Sequence, residues 1–106
     1  MADYLFLYTG GSMPEGEEAQ AGVMKAWDAW FGQIGSALKD GGNPFSPAAK
    51  TIASNGKVTD GTATGPATGY TIVKADSLDA ATAIAKGSPV LQGGASVTVY
   101  ETFPVM

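Results

Sequence analysis

The side chains best able to do chemistry in this sequence are one carboxylate, Asp60, and three tyrosines. Asp60 precedes Gly61 in a loop of small residues, so its carboxylate could act as a general base if that loop closed over it. Tyr8, Tyr70 and Tyr100 end or cross predicted strands and could donate the proton. The pattern is compatible with a cofactor-independent lyase, isomerase or oxygenase, and a turn-stabilising role for Asp60 is the alternative.

The absence of histidine and cysteine limits the chemistry further. The chain of 106 residues contains neither residue, and they are the commonest acid–base, nucleophilic and metal-ligating groups in enzymes. A serine–histidine triad, a thiolate nucleophile and a disulfide are therefore excluded. The glycine pairs lack the spacing of a phosphate-binding loop. We expect no metal site and no cofactor.

Two tryptophans and an asparagine indicate a binding site as an alternative to a reaction. Trp27 and Trp30 could form the wall of an apolar pocket, or they could pack between a helix and a sheet as core residues. The Asn43 side chain could present its amide to a ligand, or it could shape the turn before Pro44. The residues predicted to line a ligand cavity are Tyr8, Trp27, Trp30, Asn43, Asp60 and Tyr70.

Length and charge indicate one small acidic domain over residues 1–106. The net charge is −4 and the six basic residues lie singly, so no basic patch is available for nucleic acid or for an anionic membrane surface. The N-terminus carries an acid and no basic residue, unlike a secretory signal, and no apolar run has the length of a membrane span. We expect a cytoplasmic protein.

The element that must hold the two tryptophans is a long helix. Large apolar residues recur at positions 23, 27, 30, 31, 34 and 38, which is the spacing of one helical face. Ser12 and Glu15 have the form of a capping box, and further acids suit the positive end of the helix dipole. The helix is predicted to begin near Glu17 or Glu18 and to stop at Asp40.

Strand patterns surround this helix. Asn55-Gly56 is a strong hairpin signal between two short strands. Glu101 alternates with valines in the last strand, where it lies either at the rim of the sheet or in a buried position. The strands are predicted at residues 3–9, 49–54, 57–60, 68–75 and 95–103. A second helix is predicted between the last two strands, capped by Asp76 or Ser77, with a narrow apolar stripe formed by Leu78, Ala81, Ile84 and Ala85.

The first strand is apolar on both faces, which predicts that both faces are covered. Merging the hairpin strands into the centre of the sheet gives the order βαββαβ, an α+β fold with an antiparallel sheet and two helices on one face. Two helices cover only that face. We therefore expect a homodimer in which two sheets pack face to face. The two sets on the first strand are Tyr4, Phe6 and Tyr8 on one side and Leu5, Leu7 and Thr9 on the other.

In its motifs the chain resembles the YCII-related family, and in particular its DGPF-type branch. The matching stretches are residues 4–8, residues 26–31, residues 55–61 and, most specifically, residues 69–81. The resemblance implies a dimeric α+β barrel with a ferredoxin-like protomer. Some relatives carry a His–Asp pair. Here Trp30 stands at the position of that histidine, and Thr62-Ala63 replaces the Pro-Phe of the family's Asp-Gly-Pro-Phe motif.

The leading hypothesis is a small dimeric α+β barrel that binds a small, partly apolar organic molecule between its helices and its sheet. One alternative is a cofactor-independent enzyme that uses Asp60 and a tyrosine. Another is a homodimeric interaction module without a pocket.

Overall fold

The computed structural model describes residues 2–11, 16–46, 48–61 and 67–104. The predicted capping box at Ser12 and Glu15, and Thr62-Ala63, lie outside these ranges. The elements in chain order are β1 (Ala2–Gly10), α1 (Glu17–Ile34), a 3-10 helix (Gly35–Ala37), β2 (Leu38–Asp40), β3 (Lys50–Ile52), β4 (Val58–Asp60), β5 (Ala67–Ala75), α2 (Leu78–Ala85), a second 3-10 helix (Pro89–Gly93) and β6 (Ala95–Glu101).

Four strands form an antiparallel sheet in the order β2-β5-β1-β6. Strand β1 pairs with β5 on one side and with β6 on the other, so that Phe6 lies opposite Thr71 on β5 and Val99 on β6. Buried residues of both helices join a single core on one face of this sheet. The prediction of an α+β fold with an antiparallel sheet and two helices is confirmed.

Alternation along β1 decides which face of the sheet becomes the core. Tyr4, Phe6 and Tyr8 are buried, whereas Leu5 and Leu7 between them are half-buried. Successive strand residues point to opposite faces, so these two sets lie on opposite sides of the sheet, as predicted. Burying a large apolar side chain stabilises the fold by about 1.5–3 kcal/mol, which makes the aromatic face the main source of stability.

Small residues allow α2 to approach the sheet closely. Ala81 and Ala85 are buried, and the Ser77 hydroxyl accepts a hydrogen bond from the Ala80 amide at 3.0 Å, as expected of an N-cap. The prediction that Leu78 belongs to the buried stripe is wrong, since its side chain is 46% exposed. The first turn of α2 lies just beyond the end of β5, and the buried alanines come one and two turns later.

The long helix ends earlier than the sequence pattern predicts. Helix α1 stops at Ile34, and Gly35, with φ 55°, donates its amide to the Phe31 carbonyl as the helix terminates. Leu38, expected on the helical stripe, instead pairs with Val73 as the first residue of β2. The glycine at 35 permits the break because residues with a side chain strongly disfavour this backbone region. The prediction of helix as far as Asp40 is therefore wrong.

The predicted hairpin exists but does not enter the main sheet. Strands β3 and β4 form a separate two-stranded sheet, with Ile52 opposite Val58. The edge of β5 is already occupied by the preceding segment, in which β2 pairs with β5 and Pro44 bridges to Gly69. The prediction that the hairpin supplies central strands of the sheet is wrong, because β2 occupies the edge of β5 and, among the described residues, β3 and β4 pair only with each other.

Close backbone contact holds this edge segment against β5. Gly42 has φ 71°, and a Cβ atom there would overlap the Tyr70 carbonyl oxygen. The Gly42 amide also donates a hydrogen bond within its own segment, to the Asp40 carboxylate at 2.8 Å. Only glycine fits both the backbone conformation and the contact distance at this position.

The second face of the sheet receives neither helix. Its apolar side chains form what we call the open face, and they are aligned across three strands by the registers of β1. The molecule measures 44 × 39 × 18 Å, as expected of one sheet with one layer of helices. The residues of the open face are Leu5, Leu7, Tyr70, Ile72 and Tyr100.

Candidate functional site

An aromatic cluster fills the space between α1 and the sheet. The Trp30 ring lies 6.3 Å from Phe6 and 5.6 Å from Trp27, measured between ring centroids. Trp27 in turn meets Tyr8 edge-on at 5.7 Å. Trp30 is buried and Trp27 half-buried. The sequence predicts the tryptophans either to line a pocket or to pack as core residues. The sides of their rings that face the sheet pack as core residues.

The Tyr8 hydroxyl belongs to a buried polar chain beneath this cluster. It donates to the Thr71 hydroxyl at 2.6 Å, and Thr71 donates to the Gly41 carbonyl at 3.1 Å. Burial raises the pKa of Tyr8 above its ordinary value of 10.0, while hydrogen bonds with Thr71 and Ser88 offset part of the rise. The phenol therefore stays protonated at neutral pH and joins β1 to β5.

A groove of about 330 Å³ opens between α1 and α2 on the outer side of the cluster. One edge of Trp30 lines it, and the indole nitrogen lies beside Gly87, where an added Cβ atom would be 3.2 Å away. No acceptor among the described residues takes a hydrogen bond from this indole N–H. The groove is lined by Trp30, Gln33, Ile34, Ala37, Ala83, Ile84 and Gly87.

The groove can hold an apolar body that carries one hydrogen-bond acceptor. Ile34 and Ile84 offer apolar walls, and the Gln33 amide offers a donor and an acceptor in the same groove. Its volume lies at the lower end of the range of about 300–1,000 Å³ found for small-molecule sites. Sequence reasoning identified only Trp30 among these residues, because periodicity shows which residues share a helix face but not which faces meet.

Asp60 lies away from the aromatic cluster, on β4. Its carboxylate is 88% exposed and accepts a hydrogen bond from the Lys50 ammonium at 2.7 Å. Together with Ala48, Ala49 and Gly61, these two residues line an open depression of the hairpin. No hydrogen bond joins Asp60 to a tyrosine within the described ranges. The contact supports a structural role for Asp60 in the hairpin.

Asn43 and Tyr70 lie in a third place, at the edge of the open face. Asn43 is exposed in the segment that leads to Pro44. Tyr70 stacks on Phe45 with ring centroids 5.9 Å apart, and Tyr100 lies on the same face. Because Tyr8 points to the opposite side of the sheet, the three tyrosines do not share one cavity.

Glu101 is exposed at the end of β6, which agrees with the rim position of the two alternatives. Its carboxylate accepts a hydrogen bond from the Tyr4 hydroxyl at 3.2 Å. Burial, followed by this hydrogen bond and the negative charges of Glu101 and Asp76, raises the pKa of Tyr4. The pair joins β1 to β6 at the end of the sheet.

The six predicted ligand residues thus fall into three groups. Tyr8, Trp27 and Trp30 share the aromatic cluster, Asn43 and Tyr70 lie at the edge of the open face, and Asp60 is on the hairpin. Among the described residues, no three histidine, cysteine, aspartate or glutamate side chains are grouped to hold a metal ion.

Neither helix in the described ranges combines the length and the apolar character needed to cross a membrane.

Comparison with known proteins adds no assignment. No family model matches the sequence, and no curated protein matches it. The resemblance to the YCII-related family therefore stays a prediction.

Proposed function

We propose that the protein is a homodimer that binds a small, partly apolar organic molecule in the groove between α1 and α2. The observation that carries the proposal is the Trp30 indole N–H, which reaches an apolar groove and has no acceptor among the described residues. A bound molecule with one acceptor would satisfy this donor, and its apolar part would cover Ile34 and Ile84. Binding sites commonly combine apolar walls with a few fixed polar groups.

The assembly part of the proposal rests on the open face. Its centre is apolar, and charged side chains, among them the ion pair between Lys39 and Asp3, stand near its end. An apolar centre with a polar rim is typical of protein interfaces. Two copies related by a two-fold axis would each place Leu5 and Leu7 against the same surface of the partner.

The exposed area also supports a second copy. The chain exposes 7300 Å², whereas a compact monomer of 10.7 kDa exposes about 5,500 Å². The difference is comparable to the roughly 1,000–2,500 Å² that each subunit buries in a stable homodimer.

The order β2-β5-β1-β6, with β3 and β4 outside the main sheet, supports a ferredoxin-like protomer. Counting β2 as the second strand and β5 as the third, the elements follow the order βαββαβ, and sheet-to-sheet pairing of two such protomers would give the dimeric α+β barrel that the family resemblance implies.

A homodimeric interaction module without a ligand is the second candidate. It is favoured by the aromatic rings that occupy the space between α1 and the sheet. The two candidates differ in whether the groove between α1 and α2 binds a ligand, since an interaction module would leave it empty.

Two-dimensional ¹H–¹⁵N spectra test ligand binding, because the two tryptophans give two indole N–H signals. Quinoline, which has a ring-nitrogen acceptor, and naphthalene, which lacks one, form a matched pair of probes. We expect quinoline to shift the Trp30 indole signal more than naphthalene does, and to shift the Trp27 signal little. The shift of the Trp30 signal should disappear in Ala83→Leu, because the larger side chain fills the groove. Ala29→Leu, on an exposed part of α1 outside the groove, is the control. An unmoved Trp30 signal with both probes would favour the interaction module.

A further inference from the structure

The β3–β4 hairpin forms an arm, residues 48–61, and the hydrogen bonds between its two strands lie within the arm. The Gly61 amide donates to the Ala49 carbonyl at 2.8 Å, and the Thr51 hydroxyl donates to the Gly61 carbonyl at 2.7 Å. Lys50 pairs with Asp60 across the two strands. The arm has its own turn and its own two-stranded ladder, and it does not share the ladder of the main sheet.

The arm carries apolar side chains that its own chain leaves in water. Ile52 is 70% exposed and Val58 is 53% exposed, and the two are opposite each other in the register of the hairpin. Of residues 48–60, only Thr51 is half-buried, and the others are exposed. A lone two-stranded hairpin is at best marginally stable in water, and it needs a further surface for stability. The described residues do not supply such a surface to Ile52 and Val58.

The root of the arm joins the edge of the open face. Phe45, three residues before the arm, stacks on Tyr70, and its amide donates to the Thr68 carbonyl at 2.8 Å. Phe45 is itself 44% exposed. The six residues from the start of β3 to the turn span about 20 Å when extended, which is long enough for the arm to contact a second copy seated on the open face.

We propose that each arm packs on the second copy in the homodimer, with Ile52 and Val58 buried against the partner. This inference rests on the proposed homodimer, whose open face it extends to the arm. Charge favours the same occupant: residues 48–61 contain two lysines and one aspartate, a net charge of +1, whereas the whole chain carries −4. Lys57 makes no ion pair with a described residue, so its ammonium is available to an acidic partner copy.

Sedimentation velocity over a range of protein concentrations tests the arm. The double variant Ile52→Thr/Val58→Thr keeps β-branched residues in the hairpin, so we expect it to fold and to have a dimer dissociation constant at least tenfold higher than the original chain. The double variant Met24→Gln/Leu91→Gln removes exposed apolar residues of similar size elsewhere and should leave the constant unchanged.

An unchanged constant in the arm variant would overturn the inference about the arm while leaving the homodimer intact. A strictly monomeric original chain would overturn the homodimer, and the arm inference with it.

Paramagnetic labelling gives an independent readout. The chain has no cysteine, so Ser54→Cys near the turn provides a single attachment point for a nitroxide. One protein sample carries the nitroxide and ¹⁴N, and the other carries ¹⁵N and no nitroxide. In a mixture of the two, only contacts between copies broaden the observed ¹⁵N-coupled signals. We expect localised broadening of amide signals in the ¹⁵N copy. Uniform or absent broadening in a sample that sedimentation shows to be dimeric would contradict the arm contact.

Discussion

The two faces of the sheet are formed by the same strands but differ in how deeply their side chains are buried. On the helix-covered face, Phe6 and Val73 are completely buried. On the open face, Leu7 and Ile72 remain half-buried although both are apolar. The neighbouring residues of one strand thus differ in what covers them. The contrast indicates that one face stabilises the fold of a single copy, and it supports our proposal that a second copy covers the other.

The contrast is tested most strongly by paired alanine substitutions at adjacent positions of β1. Phe6→Ala should lower the free energy of unfolding by about 3–5 kcal/mol, because it leaves a cavity beneath Trp30. Leu7→Ala should lower it by less, and its effect should grow with protein concentration, because Leu7 is proposed to pack between copies. Urea unfolding at two protein concentrations measures both. Equal losses at both positions, independent of concentration, would remove the distinction between the faces.

The edge segment beside β5 offers a second comparison, between two glycines with positive φ. Gly42→Ala should cost about 2–4 kcal/mol, since the new Cβ overlaps a carbonyl of β5 in addition to the backbone strain. Gly56→Ala, at the turn of the arm with open space around it, should cost only about 1 kcal/mol. Thermal unfolding of the two variants compares them. A harmless Gly42→Ala would show that the segment does not lie against β5 as described.

A smaller effect is expected for the buried hydroxyl of Tyr8. Tyr8→Phe removes the hydrogen bond to Thr71 and should lower the free energy of unfolding by about 0.5–1.5 kcal/mol. Tyr100→Phe, on the open face, is the control and should change it little, since Tyr100 is 49% exposed. Urea unfolding at neutral pH distinguishes them, and a larger loss in the Tyr100 variant would contradict the placement of the two tyrosines.

The smallest expected effect is a loss of stability at alkaline pH. The pKa values of Tyr4 and Tyr8 are raised in the folded chain above the ordinary 10.0, so the folded state favours the protonated phenols. This stabilisation is complete below pH 10 and is lost as the pH rises through the folded-state values. Stability measured from pH 8 upward should therefore stay level to about pH 10 and fall above it, and the fall should be shallower in Tyr4→Phe/Tyr8→Phe. An identical pH dependence would exclude these phenols as its source.

Much of the fold follows from local patterns. The two apolar sets of β1, the Ser77 cap of α2 and the turn at Asn55-Gly56 all depend on neighbours within a few residues, and all lie where the sequence predicts them. Leu38 shows the limit of such reasoning. Its position fits the helical stripe, yet a glycine three residues earlier ends the helix and pairing with Val73 decides its structure.

The candidate site was less predictable than the fold. Trp30 was identified by residue type, whereas Gln33 and Ala83 become neighbours only when two helices pack side by side. Asp60 was singled out by its sequence context, but the placement of the hairpin outside the main sheet gives it Lys50 as a partner. Both outcomes depend on long-range packing, which one sequence does not encode in its periodicity.

The molar mass in solution tests the central claim most directly. Light scattering at micromolar concentration should give about twice the 10.7 kDa of one chain, and Leu7→Asp, which places a charge in the centre of the open face, should return the mass to that of one chain without loss of helix content. A mass of 10.7 kDa for the original chain at all concentrations would contradict the claim that a second copy covers the open face.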